Sequence, residues 1–164
     1  MKAPLTLDVN GMRHELEVSG ETTLLDALRE ELGLTGTKKN CLEAECGVCT
    51  VLLDGKAVNS CILLAHQCEG RNITTVEGLA RPGSLSPLQQ AFIQHGAVQC
   101  GFCIPGMLVT AQSYLDELDG RAPDRDEVRE AIAGTLCRCT GYSKIVDAIE
   151  AEALRLNAAR WEAC

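Results

Sequence analysis

Along the first twenty residues apolar and polar positions alternate. Leu5, Leu7 and Val9 sit between polar neighbours, Asn10-Gly11 follows as a two-residue turn signal, and Leu16 and Val18 resume the alternation. A period of two puts successive side chains on opposite faces of a strand, so the pattern predicts a hairpin with one buried face. The period then lengthens. Leu24, Leu25, Leu28 and Leu32 fall on one side of a helix that Thr22 or Thr23 can cap and Gly33 can stop. The run TVLLDGKAV predicts a second hairpin with Asp54-Gly55 at its turn, and Asn72 to Val76 a last short strand.

Beyond this the pattern breaks and changes type. Residues 77–87, EGLARPGSLSP, carry Gly, Ser and Pro without a periodic apolar face and read as a linker. After it the spacing is helical. Leu88, Phe92 and Ile93 share one face, and Met107, Leu108, Ala111, Leu115 and Leu118 recur at helical intervals after Pro105. Asp124 caps a segment holding Val128 and Ile132, and Ile145, Ile149 and Leu156 mark a final helix. The expected fold class is therefore α+β: a β-rich unit over 1–76, a linker over 77–87, and a four-helix bundle over 88–164 with cysteines at its helix ends.

Composition sharpens this picture in two ways. Aromatic residues are only 3% of 164, so two half-size units would each have a thin core and would gain from a metal staple. The net charge of −8, with no Lys/Arg-rich block, argues against a nucleic-acid partner. No apolar run approaches membrane-spanning length, and MKAPLTLDVNG lacks a signal core, so a cytoplasmic location is expected without membrane insertion. Thiols stay reduced in that compartment, which favours metal binding over disulfides for ten cysteines.

Eight of those ten cysteines fall into two sets. Cys41, Cys46 and Cys49 form C-x4-C-x2-C, with Cys61 as a fourth thiol, which is the plant-type 2Fe–2S pattern. Such a core takes two thiolates on each iron, and a single wrapping loop plus one thiol from the next hairpin can supply them. Zinc also takes four thiolates, but its frameworks usually pair two C-x2-C knuckles. Gly47, between two of the ligands, lets backbone N–H groups approach the core.

The second set is Cys100 and Cys103 in QCGFC with Cys137 and Cys139 in LCRCTGY. Taken alone, this set leaves zinc open as an alternative. Gly101 allows the knuckle to turn, Gly141 ends the tight loop, and Arg138 is either a counter-charge to an anionic cluster or a solvated surface residue.

Taken in order, ECGVCTVLLDGKAVNSC, QCGFCIPGM and LCRCTGY resemble the small iron–sulfur subunit of the molybdenum hydroxylases. That is the xanthine dehydrogenase and aldehyde oxidase family, which includes carbon monoxide dehydrogenase and 4-hydroxybenzoyl-CoA reductase. The likeness runs from the first strand to about Ile149. It implies a β-grasp ferredoxin-like domain and a four-helix domain, each with one 2Fe–2S cluster. It also implies a large subunit holding molybdopterin, usually a medium subunit holding FAD, and a hetero-oligomer such as a dimer of heterotrimers. By the same resemblance Cys41, Cys46, Cys49 and Cys61 hold the flavin-side cluster. Cys100, Cys103, Cys137 and Cys139 hold the pterin-side one, and Gln99 and Cys139 approach the pterin itself. Catalysis then belongs to another chain.

The sequence departs from this family's glycine-rich first loop at Leu42 and Ala44, which strains the loop if those positions need positive φ. Cys68 and Cys164 match no ligand position; His14, His66 and His95 form no ligand set, and Asp116, Glu117 and Asp119 read as a solvated helix face. Two other functions compete with the electron-transfer subunit: a free two-cluster ferredoxin-type shuttle, and a zinc-stapled interaction module. The substrate of a complex is not encoded in this chain.

Overall fold

The computed structural model describes residues 1–81 and 83–162, so Cys164 lies outside the described residues. The N-terminal alternation forms β1 (Lys2–Val9) and β2 (Met12–Ser19), paired antiparallel with Leu5 opposite Leu16. Asn10 and Gly11 both take positive φ, 52° and 76°, the combination whose twist suits a two-residue hairpin. The same device recurs at Asp54 and Gly55, φ 50° and 81°, between β3 (Thr50–Leu53) and β4 (Lys56–Asn59). With β5 (Asn72–Thr74), which runs parallel to β1, these strands make one mixed sheet in the order β2-β1-β5-β3-β4. Its covered face buries Leu5, Leu7, Val9, Val18, Val51, Leu53 and Ile73 against Leu24, Ala27 and Leu28.

Those last three residues belong to the expected helix, but its geometry differs from the regular one predicted. Only α1 (Leu24–Asp26), capped by Thr23, is α-helical, and Ala27–Glu31 widens into a π turn. The wider turn comes with Arg29 donating from Nη1 to the carbonyls of Thr35 and Thr37, at 3.0 and 2.8 Å. The helix end thereby anchors the segment that leads into Cys41.

Four helices follow: α2 (Pro87–Gln94), α3 (Ile104–Glu117), α4 (Arg125–Ile132) and α5 (Ser143–Glu162). A Ser86/Gln89 capping box opens α2 and an Asp124/Glu127 box opens α4. On α2 the buried face is Leu88, Ala91 and Phe92, whereas Ile93 is 62% exposed and does not share it. Spacing i, i+3, i+4 closes that face, and a residue one step further points away. Leu88, Phe92, Met107, Leu108, Val128, Ile132, Ile145 and Ile149 build the common core of these helices.

The two cores meet through the first cysteine loop. Cys46 and Val48 are buried in the helical core, and Val76 and Leu79, on a 3₁₀ turn at the start of the linker stretch, pack against it too. A Cβ on Gly106 would lie 2.4 Å from the Gly47 carbonyl oxygen, and one on Gly47 would lie 2.3 Å from that of Gly134. Backbone thus touches backbone where the loop crosses α3. The missing Cβ of Gly47 thus serves the contact between the halves, a role the sequence did not signal. Ser113 of α3 also accepts from the Ala57 N–H at 3.2 Å, covering the edge strand β4.

Candidate metal centres

Cys41, Cys46 and Cys49 lie on the loop that climbs from the π turn to β3, and Cys61 lies on a 3₁₀ turn just after β4. The sheet is what brings them together, since β3 and β4 are adjacent and their ends carry Cys49 and Cys61. Within the set the thiols act on one another mainly in twos: the Cys46 thiol lowers Cys41, and the Cys61 thiol raises Cys49. Leu25 of α1 is buried against the second of these pairs.

The loop's electrostatics are uneven. Backbone N–H groups of Glu43, then the Cys46 thiol and the N–H groups of Cys46 and Glu45, lower the Cys41 thiol to about 7. Burial pushes Cys49 up to about 11. A metal must displace protons from such thiols, so binding and deprotonation are linked. Leu42 and Ala44 do take positive φ, 65° and 61°, and Leu42 is half exposed. The loop therefore adopts the glycine-type conformation without the glycines. Asn59, donating from Nδ2 to the Ala44 carbonyl at 3.2 Å, and Ser60, donating to the Cys49 carbonyl at 2.7 Å, brace it.

The second set is assembled from two distant turns. Gly101, at φ 84°, bends the Cys100–Cys103 knuckle into the start of α3, and Cys137 and Cys139 sit between α4 and α5. All four thiols line one cleft of about 280 Å³, together with Phe102 and Arg138. Again they associate in twos: the sulfurs of Cys100 and Cys139 are 3.5 Å apart, and the Cys137 thiol raises Cys103. Cys100 and Cys139 are exposed, Cys137 is half-buried and Cys103 is buried. The N–H of Phe102, and then Cys139, lower Cys100, while burial raises Cys103 to about 12. For Cys137, burial opposes ionisation, but hydrogen bonds led by the Thr140 hydroxyl outweigh it and the thiol is lowered.

Two pairs per set suit a two-iron core, which takes two thiolates on each metal. A tetrahedral zinc ion would instead hold four sulfurs at about 2.3 Å from a common centre. Among the described residues no three His, Cys, Asp or Glu side chains gather as one ion requires, and all nine described cysteines are free of disulfides. Cys68 is buried outside both sets, with its thiol raised by burial. His14, His66 and His95 join neither set.

The comparisons decide the family. A model described as a 2Fe-2S iron-sulfur cluster binding domain matches residues 7–80, and one described as a 2Fe-2S binding domain matches 75–150. The aldehyde oxidoreductase iron-sulfur-binding subunit PaoA of Escherichia coli O157:H7 is 46% identical over 160 residues, covering 90% of this chain and 70% of the relative. The nicotine 6-hydroxylase small subunit of Paenarthrobacter nicotinovorans is 48% identical over 148 residues, covering 90% and 88%. A chain of quinoline 2-oxidoreductase from Pseudomonas putida 86 superposes with a TM-score of 0.90 at 50% identity, over 97% of this chain and 96% of that one. This chain belongs to the small iron–sulfur subunits of the molybdenum hydroxylases. It carries two 2Fe–2S domains and serves electron transfer in an oxidoreductase whose substrate chemistry lies elsewhere.

One contact missed by sequence reasoning joins the two sets in this subunit. The N–H of Leu136 donates to the Cys46 carbonyl at 2.9 Å, so a residue adjacent to Cys137 is bonded to the backbone of a first-set cysteine. Nothing in the spacing of cysteines signals it, because 90 residues separate the partners. Gln99 is exposed beside Cys100, and its amide has no partner among the described residues.

Proposed function

We propose that Cys41, Cys46, Cys49 and Cys61 hold one 2Fe–2S cluster and that Cys100, Cys103, Cys137 and Cys139 hold the other. The observation that carries this is that the fold gathers each set: all four second-set thiols line one cleft with the Cys100 and Cys139 sulfurs 3.5 Å apart, and β3 and β4 bring Cys61 to the first loop's thiols. Each cluster, when bound, accepts and returns one electron. The chain's own residues fix where each cluster sits: the first set is packed between sheet and helices, the second opens to the surface through Cys100 and Cys139. That exposure, with Val98, Phe102 and Leu136 exposed beside it, favours a large molybdopterin-binding subunit at this face. Gln99 and Cys139 are then the pterin-proximal residues. Electrons pass from that centre through the second set to the first, and on to FAD in a medium subunit or to an external acceptor. In the finer reading of the fold, residues 1–76 are a β-grasp ferredoxin-like domain, 77–87 a linker and 88–164 a four-helix bundle domain. The location is cytoplasmic, consistent with the lack of any described helix long and apolar enough to cross a membrane.

Iron and acid-labile sulfide analysis tests the assignment, with about four of each expected per chain. Two of each means that one set has been misassigned, and a colourless preparation holding zinc without iron overturns both. Size-exclusion chromatography of the natively expressed protein separates a subunit, which elutes with its partners, from a shuttle near 17.6 kDa.

A further inference from the structure

The stretch from Thr135 to Tyr142 is wired by hydrogen bonds that converge on one sulfur. Thr140 Oγ1 lies 3.1 Å from Cys137 Sγ, and the Thr140 N–H points to the same sulfur at 3.4 Å. The Tyr142 N–H donates to Thr140 Oγ1 at 3.2 Å. The Tyr142 phenol oxygen accepts the Cys137 N–H at 2.7 Å. Once Cys137 is a thiolate its sulfur only accepts, and Thr140 Oγ1 already accepts from Tyr142, so the hydroxyl proton points at sulfur. Among the described residues Cys137 is the one second-set thiol with a side-chain hydroxyl at its sulfur.

Tyr142 holds this arrangement at a local cost. Its φ is 65°, in the left-handed region that a bulky residue rarely occupies. That conformation lets its N–H face Thr140 while its ring, packed against the helical core, brings the phenol to the Cys137 N–H. The Cys137 N–H is thereby directed to oxygen and leaves the hydroxyl as the side-chain donor to this sulfur. Ser143 N–H closes on the Gly141 carbonyl at 2.9 Å and fixes the loop against the start of α5.

We infer that Thr140 is a tuning residue for the second cluster, setting its reduction potential through an O–H···S bond to Cys137 that Tyr142 orients. The inference rests on the ligand assignment proposed above. Reduction adds negative charge to the cluster and its sulfurs, and a donor aimed at sulfur stabilises the reduced form and raises the potential. Arg138, exposed in the same loop, adds charge but offers no such directed bond among the described contacts.

A redox titration of the full chain with both clusters, followed by electron paramagnetic resonance, tests it. Thr140→Val and Thr140→Ala each remove the donor, and Thr140→Ser keeps it. The expected result is a shift of the second cluster's midpoint to more negative potential in the Val and Ala variants. The first cluster's midpoint stays in place, and Thr140→Ser returns the second to the wild-type value. An unchanged midpoint in a fully loaded Val or Ala variant overturns the inference, as does a Ser variant that behaves like Val. Loss of the cluster from both Val and Ala variants, with Ser retaining it, assigns Thr140 to assembly and equally overturns tuning. Absence of a second signal in the wild-type chain would instead strike the ligand assignment, so the two failures are distinguishable.

Discussion

The two cysteine sets differ in how the chain delivers them. The first takes three thiols from one loop, whose Cys46–Cys49 end is buried between the sheet and the helical core, and a fourth from the turn after β4; three of the four are buried. The second joins two turns that are remote in sequence, and two of its thiols face solvent. The end of the loop that is wedged between the two cores is fixed by packing on both sides. A split site at the surface is held by specific hydrogen bonds and is open to another molecule. Position in the fold, more than ligand type, separates the enclosed set from the open one.

The largest expected effect breaks the packing that makes the first site an inner one. Gly106→Val puts side-chain atoms into the Gly47 carbonyl, where even a Cβ would stand at 2.4 Å from rigid backbone. Overpacking of this kind costs about 3 kcal/mol. Urea unfolding should show that loss, and iron analysis should show the first cluster depleted before the second. A variant of wild-type stability would mean that α3 and the loop are not pressed together.

Cys49→Ala sharpens the comparison from the other side. It removes one thiol of a buried pair, so iron should fall from about four to about two per chain while the second cluster's spectrum persists. The N-terminal half should lose stability, because a small core is losing its staple. The Leu136–Cys46 hydrogen bond and the shared core make this a demanding test. Loss of both spectra in a soluble, folded variant would show that the halves do not hold their clusters separately.

Much of this organisation was legible in the residues. Period-two alternation and the Asn10-Gly11 and Asp54-Gly55 turns gave both hairpins, because local sterics set them. Asp124 announced its helix through capping chemistry, which is equally local. The cysteine spacings gave the two sets. Long-range facts were not legible: the contact of Gly47 with Gly106, the Leu136–Cys46 bond, and the insertion of the first loop into the helical core. The π turn also escaped, since Leu24 to Leu32 fits a regular helix and only Arg29's reach to Thr37 distinguishes the two. Ile93 was misplaced because one apolar residue at the rim of a face carries no sign of its partner.

Leu42 and Ala44 take φ 65° and 61° in the outer part of the first loop, where Asn59 braces the Ala44 carbonyl. Each residue with a side chain pays about 1 kcal/mol there relative to glycine. The double variant Leu42→Gly/Ala44→Gly should therefore stabilise the folded chain by up to about 2 kcal/mol in urea unfolding, with unchanged iron content. A destabilised double variant would mean that the Leu42 side chain contributes contacts worth more than the strain.

The smallest effect concerns the open site. Gln99 is exposed, unpaired among the described residues and adjacent to Cys100, so its amide is free to donate to and accept from a partner's polar edge. Gln99→Ala should leave both clusters and the stability of the chain intact, since nothing in the fold depends on the amide. Electron transfer from the reduced molybdenum centre should slow, by up to about tenfold if a neutral hydrogen bond of about 1 kcal/mol acts only in that step. Stopped-flow reduction of the assembled complex by its substrate reads the rate directly. Gln99→Glu keeps the length and the acceptor but loses the donor, so a rate near that of the Ala variant would locate the requirement in the N–H. An unchanged rate in the Ala variant, with full cofactor occupancy, would remove Gln99 from the pterin-facing surface and leave Cys139 as that surface's one assigned residue.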